Sequence, residues 1–336
     1  MRLGRLTLLL GATGVLALVL GACGGAAADR GEGAATPGSA STSDVAPPTA
    51  PTPTATPGTI AGRPVPVARS SRTDVDTSRP TPAGSQTPER PGRTLVSEVY
   101  VPQVDGPRPL IVFSHGLMGH PDKFTRLLDA WARAGYVVVA PAFPLTNDEV
   151  PGAVANARDL WQQPADVSFV IDRVLAANQD PTDPLFGRID PERIGAGGLS
   201  LGGATTFGLV FNDCCRDRRI RAAEVLSGNP IPLPQPYRFD SGIPVLIMHG
   251  DADASLPLAR EREVYDEVTG PKMFVTLLGG THAPPFEDPV TPYDELVERT
   301  TVAFWDLTVG GDPGARRRLA EVAAVDGLTR VDDGLG

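Results

Sequence analysis

Between Leu110 and Gly280, short unbroken apolar runs alternate with stretches of helical spacing, and that alternation leaves the chain very few folds. The runs are PLIVFSHG (109–116), YVVVAP (136–141), RIGAGG (193–198), IRAAEVLSG (220–228), PVLIMHG (244–250) and KMFVTLLGG (272–280). They are short, bounded by Gly and Pro and rich in β-branched residues, so they read as strands rather than buried helices. A strand apolar on both sides belongs in a sheet covered on both faces, which is the habit of parallel sheets. Between them lie DKFTRLLDAWARAG (122–135), a helix from about Ala165 to Ala177, and another beginning near Leu201. TLVSEVYVP (94–102) alternates like a half-exposed strand. The expected fold class is α/β, with a mostly parallel central sheet and helices on both faces.

Outside that region the composition changes. Arg2 and Arg5 precede an apolar run, Leu6 to Leu20, that is short and Gly-interrupted for a membrane span, so residues 1–22 read as a secretory signal. Leu20-Gly21-Ala22-Cys23 resembles the bacterial lipobox. The resemblance implies cleavage before Cys23 and a diacylglyceryl group on its thiol; an uncleaved helix or a plain signal cut nearby are the alternatives. Several acyl chains, at about 0.8 kcal/mol per buried methylene, hold a protein on a membrane stably. Residues 23–93 include PPTAPTPTATPG and RPTPAGSQTPERPG, with almost no large apolar side chain to offset the entropy of ordering. They are expected to form a disordered tether, roughly 45 Å from end to end. The globular domain is then expected over 94–312, with a C-terminal helix and tail over 313–336. Such a protein would stand outside the cytoplasm, anchored to the bacterial cell membrane. A net charge of −10, with arginines scattered among acids, leaves no basic stripe for phosphates and argues against a nucleic-acid partner.

GAGGLSLGGATTF (195–207) sets one serine among glycines where a strand must turn into a helix. Gly198-Leu199-Ser200-Leu201-Gly202 is GxSxG, and in a strand–elbow–helix context the small residues let strand and helix approach while the serine is presented at the tip. Serine needs a base, and the base needs a group to orient it. The order Ser, acid, His that accompanies such an elbow excludes His115 and His120, which precede Ser200. His249, ending a strand before Gly250, reads as a packing residue. His282, in the loop LLGGTHAPPF after the last strand, remains as base. HGDADASLP (249–257) supplies the acid. Asp251 adjoins Gly250 and should be consumed by the turn, so Asp253 is assigned, with Asp251 in reserve. The oxyanion formed by attack needs two donors: the N–H of Leu201, and one from SHGLMG, where Leu117 is chosen and Met118 is the alternative. His115 reads as a buttress of that loop.

VFSHGLMG, GAGGLSLGG, HGDADASLP and GGTHAPPF, in that order over about residues 94–308, resemble the α/β-hydrolase family. The likeness is to its branch of dienelactone-hydrolase-like, chlorophyllase-like and platelet-activating-factor-acetylhydrolase-like proteins. The resemblance implies a serine esterase with Ser200, Asp253 and His282 as triad, no cofactor, and a small-molecule or lipid-like ester as substrate. Leu199 departs from the His that many relatives carry before the serine. The same triad would also serve an extracellular acyltransferase, and a non-catalytic binding lipoprotein is the remaining alternative. Substrate choice is expected in loops 143–163 and 227–240, where Phe143, Trp161, Tyr237 and Phe239 either line an acyl pocket or merely cover the sheet. Cys214 and Cys215 have only each other outside the cytoplasm if Cys23 is lipidated. A vicinal disulfide capping the helix from Leu201 and a pair of buried thiols are the two readings. No Cys or His lies at ligand spacing from them, so no metal is expected.

Overall fold

The computed structural model describes residues 64–336; the leader 1–22, Cys23 and residues 24–63 lie outside the described part. In chain order the strands are β1 Val67–Asp76, β2 Arg93–Pro102, β3 Arg108–Ser114, β4 Val137–Ala142, β5 Ile189–Leu199, β6 Ile220–Leu226, β7 Val245–Gly250, β8 Lys272–Leu277 and β9 Thr329–Gly334. The helices are α1 Thr125–Arg133, α2 Gln163–Ala177, α3 Leu201–Phe211, α4 Leu258–Glu267, α5 Asp294–Thr308 and α6 Ala315–Ala323. They build one sheet of order β1-β2-β4-β3-β5-β6-β7-β8-β9. The six strands from β4 to β8 in that order run parallel; β2 at one side and β9 at the other pair with them antiparallel, and β1 pairs antiparallel with β2.

The unbroken apolar runs follow from burial on both faces. Along β3, Leu110 and Val112 face a core shared with Val170 and Ile171 of α2 and Phe207 and Phe211 of α3. Ile111 and Phe113 face the opposite core, with Leu128 and Trp131 of α1 and Phe304 and Trp305 of α5. Strand period two thus divides each run between two interiors.

Both ends of the expected partition need correction. Residues 67–76, assigned above to a disordered tether, form β1, paired with β2 from Val67↔Pro102 to Asp76↔Arg93. Most of β1 is exposed, so its ordering comes from the backbone ladder and from ion pairs such as Arg72 with Asp74 and Asp183, which a search for apolar residues overlooks. The tail expected after the C-terminal helix carries β9, which covers the β8 edge. An edge strand rich in charge is one way to close a sheet against further pairing.

The chain leaves β3 to one side for β4 and returns on the other for β5, so the topology switches between β3 and β5. In open α/β sheets the crevice at the carboxyl ends of the strands flanking such a switch is where ligands bind. Here those ends carry His115–Leu117 and Ser200, with Ser114 opposite Gly198.

Candidate active site

Ser200 joins β5 directly to α3 with φ 55° and ψ −112°. For a residue with a Cβ this is a strained conformation, costing about 1–3 kcal/mol. Its surroundings hold it there: Ser200 N–H donates to the Leu226 carbonyl at 2.9 Å, and the Ala204 N–H to the Ser200 carbonyl at 3.0 Å. The flanking glycines are required by close approach, since a Cβ on Gly202 would lie 1.9 Å from the Ser114 carbonyl oxygen, and one on Gly198 would lie 2.5 Å from the Gly202 backbone.

The three residues expected to cooperate, drawn from distant parts of the chain, meet at this elbow. His282 Nε2 lies 2.8 Å from Ser200 Oγ, and its Nδ1 lies 2.6 Å from Asp253 Oδ2. The Asp253 side chain is wholly buried, while His282 keeps 21% of its side chain accessible. The other carboxylate oxygen, Oδ1, accepts the N–H groups of Ser255 at 2.7 Å and Leu256 at 2.9 Å. Burial alone would raise the Asp253 pKa; the bonds from Leu256, His282 and Ser255 outweigh it and hold the carboxyl below its ordinary range. An ionised Asp253 requires the proton of His282 on Nδ1, leaving Nε2 free to accept from Ser200. Asp251 does what its position beside Gly250 suggests: it is exposed, and its Oδ1 accepts the Gly279 N–H at 2.7 Å.

The loop after β3 resolves the choice of amide there. Met118 has φ 58° and gives its N–H to the Thr146 carbonyl at 2.7 Å, so that donor is occupied. The amides of Leu117 and Leu201 make no hydrogen bond among the described residues. Gly116 lies against the serine, for a Cβ on it would be 3.3 Å from Ser200 Cβ. His115 ties the loop down: the Phe143 N–H donates to Nε2 at 3.0 Å, so the ring proton is on Nδ1, which donates to the Gly116 carbonyl at 2.7 Å. Burial pushes its pKa down to about 4, so it is neutral at neutral pH. Lys123 Nζ fastens the same loop through the Met118 carbonyl at 2.8 Å and Asp148 at 2.8 Å.

The pocket residues expected from sequence divide. Phe143 is fully buried against His115, with ring centroids 5.1 Å apart, and belongs to the core. Tyr237 and Phe239 stack at 5.7 Å and pack onto the same core. Trp161 is half exposed and donates to the Pro232 carbonyl at 3.1 Å, joining loops 143–163 and 227–240. Cys214 and Cys215 are bonded to each other just beyond Asn212, the residue that ends α3 and whose side chain accepts the Cys214 N–H at 3.0 Å. Among the described residues there is no group of His, Cys, Asp and Glu arranged to hold a metal ion, and no helix long and apolar enough to cross a membrane.

Glu261 escaped the sequence reading, and His249, read there as a packing residue, is its partner. His249 contacts both Asp253 and Glu261, all three side chains being wholly buried. The available signal was Glu261 itself, a carboxylate on the apolar face of α4, three residues from both Leu258 and Val264.

A mostly parallel sheet sandwiched by helices, with a serine on a strained turn at the carboxyl ends of its strands, defines an α/β-hydrolase. The model of the dienelactone hydrolase family matches residues 97–278, more than half of the chain, and the protein belongs to that family, whose members are hydrolases. No curated protein matches the chain closely enough to serve as a relative.

Proposed function

We propose that this hydrolase cleaves carboxylic esters through an acyl-enzyme on Ser200. The observation that carries the reading is the unbroken path Ser200–His282–Asp253, at 2.8 Å and 2.6 Å. His282 Nε2 takes the Ser200 proton as Oγ attacks the ester carbonyl, and the free Leu117 and Leu201 amides face the oxyanion. The alcohol leaves with the proton from His282. Water, deprotonated by the same nitrogen, then attacks the acyl carbon and releases the acid, restoring Ser200. None of these steps calls on a cofactor. The exposed Leu117 and Trp161 favour a small-molecule or lipid-like ester over a highly polar one.

The lipobox-like Leu20–Cys23 and the proline-rich stretch after it support anchoring on the outer side of the bacterial cell membrane, with the catalytic domain held away from the surface. Two experiments test the reading. A fluorophosphonate probe should label the native protein and leave Ser200→Ala unlabelled; a native protein that stays unlabelled would sink the mechanism. Full-length protein should fractionate with membranes and Cys23→Ser should not, and equal partitioning of the two would remove the anchor.

A further inference from the structure

Behind Asp253 lies a second imidazole–carboxylate pair that the ester mechanism leaves unused. His249 is the last residue but one of β7 and Glu261 lies in the first turn of α4; His249 Nδ1 contacts Glu261 Oε2. His249 Nε2 faces Asp253 Oδ2 at 3.1 Å and the Leu256 carbonyl at 2.9 Å. Both are acceptors, so Nε2 carries a proton. The remaining Glu261 oxygen, Oε1, accepts the Gly228 N–H at 3.1 Å. Gly228 belongs to the loop after β6 and presses on the nucleophile helix, for a Cβ there would lie 2.8 Å from Gly203 Cα. A continuous path therefore runs from that loop through Glu261, His249, Asp253 and His282 to Ser200.

One proton lies between His249 Nδ1 and Glu261 Oε2, and on either atom the pair is neutral and Nε2–H still points at Asp253. Losing it would put a second negative charge beside the Asp253 carboxylate in a wholly buried place, which is strongly unfavourable. Across the sheet, the β7–β8 register sets the uncharged Thr276 opposite His249, with Arg262 Nη2 reaching the Thr276 Oγ1 at 3.4 Å. Asp253 Oδ1 is pinned by two backbone amides, but Oδ2 would otherwise be met by His282 alone, the group whose position it must determine.

We infer that His249 and Glu261 form a positioning pair for the catalytic acid, His249 Nε2–H fixing the Asp253 carboxylate in the orientation that His282 needs and Glu261 fixing the His249 ring. The inference rests on the Ser200–His282–Asp253 reading. Neither residue touches substrate; both act through Asp253.

The test uses the purified full chain, a chromogenic ester, and the pH profile of kcat/KM. In His249→Phe, kcat falls about 10- to 100-fold, as expected when a catalytic group is slightly misplaced, while KM stays nearly constant. The acid limb of the profile also moves to higher pH, because an Asp253 that has lost one donor stabilises protonated His282 more strongly. Glu261→Gln can donate to Nδ1 of a neutral His249 and still accept from Gly228, so it recovers most of the kcat lost in Glu261→Ala. A purely structural pair would lower the melting temperature of these variants while leaving kcat and the acid limb in place, and that result overturns the inference. Where His249→Phe fails to fold, the Glu261 variants decide it, and equal kcat in Ala and Gln overturns it. Failure of the triad reading is seen separately, as absence of fluorophosphonate labelling in the native protein.

Discussion

Replacing Asp253 by Asn isolates one duty of the acid, the choice of tautomer at His282. Oδ1 of Asp253 accepts two backbone N–H groups, Ser255 at 2.7 Å and Leu256 at 2.9 Å, so the amide oxygen of Asn must take that place. The –NH2 then occupies the Oδ2 position, 2.6 Å from His282 Nδ1 and 3.1 Å from His249 Nε2. It is a donor facing two ring nitrogens that are themselves protonated. His282 relieves the conflict by moving its proton to Nε2, which faces Ser200 Oγ at 2.8 Å and can then no longer accept. Shape and burial hardly change, yet the base is lost. The expected fall in kcat is on the order of 10⁴, the size a wrong tautomer costs in a serine triad, or about 5 kcal/mol of barrier. Initial rates on p-nitrophenyl acetate measure it, with a melting curve to confirm the fold. Asp251→Asn is the control: its exposed side chain accepts one bond, from Gly279 at 2.7 Å, which an amide oxygen accepts equally well. Asp253→Asn retaining a rate within about tenfold of the native protein, or Asp251→Asn suffering the greater loss, would refute the reasoning.

Arg93, fully buried, binds Asp166 through Nε at 2.7 Å and Asp159 through Nη1 at 2.9 Å. Arg93→Leu strands Asp159 and leaves Asp166 with Arg79 alone, at 2.8 Å, and should destabilise the fold by about 3–5 kcal/mol in urea unfolding; a loss below about 1 kcal/mol would mean that the ion cluster is inert. At the loop after β3, Leu117→Pro deletes the free amide and should cost on the order of 10² to 10³ in kcat, whereas Leu117→Ala, which keeps it, should cost far less; equal losses would remove that amide from the mechanism. His115, whose pKa burial lowers to about 4, is neutral in the folded protein while the unfolded chain takes up a proton below about 6.5. The unfolded state thus binds more protons between those values, so stability is complete above pH 6.5 and declines as the pH falls toward 4, by about 2 kcal/mol at pH 5. Urea midpoints at pH 7 and pH 5 should show that decline in the native protein and less of it in His115→Gln; the same decline in both would assign it elsewhere.

The parallel part of the sheet was legible because its strands are buried on both faces, and a run such as Val137–Ala140 encodes that burial directly. The elbow was legible because GxSxG falls where period two gives way to helix. Less could be read where order depends on backbone or on charge. β1, VARSSRTDVD, buries little, and the ladder that orders it draws on groups every residue possesses. Residues 24–63 lie outside the described part, so the tether expected there is untouched by that correction. The choice between Leu117 and Met118 turned on which amide the Thr146 carbonyl occupies, a contact between segments far apart in sequence. Phe143 looked equally suited to a pocket or to the core, and its contact with His115 decides for the core. Glu261 went unnoticed because a carboxylate within a helix reads as solvated; its partner His249 lies on another element, and only the fold brings them together.

The family match covers Ser200 and Asp253 but ends at residue 278, short of His282, whose proposed role as base rests on chain order, on the likeness of GGTHAPPF and on its contact with Ser200. What delivers it is the fastening of the acid loop to the loop after β8. Asp251 Oδ1 accepts the Gly279 N–H at 2.7 Å, and the Ala252 N–H donates to the Gly280 carbonyl at 2.9 Å. The two backbones pass so closely that a Cβ on Gly250 would lie 2.0 Å from the Gly280 oxygen. Asp253 and His282, the proposed acid and base, are therefore carried by one doubly fastened unit. Ser200 stands on a separate support, the strained turn held by the Leu226 carbonyl and the glycines beneath α3. The alignment that matters most for proton transfer is accordingly between these two supports, and the path from Gly228 through Glu261 and His249 is one that joins them.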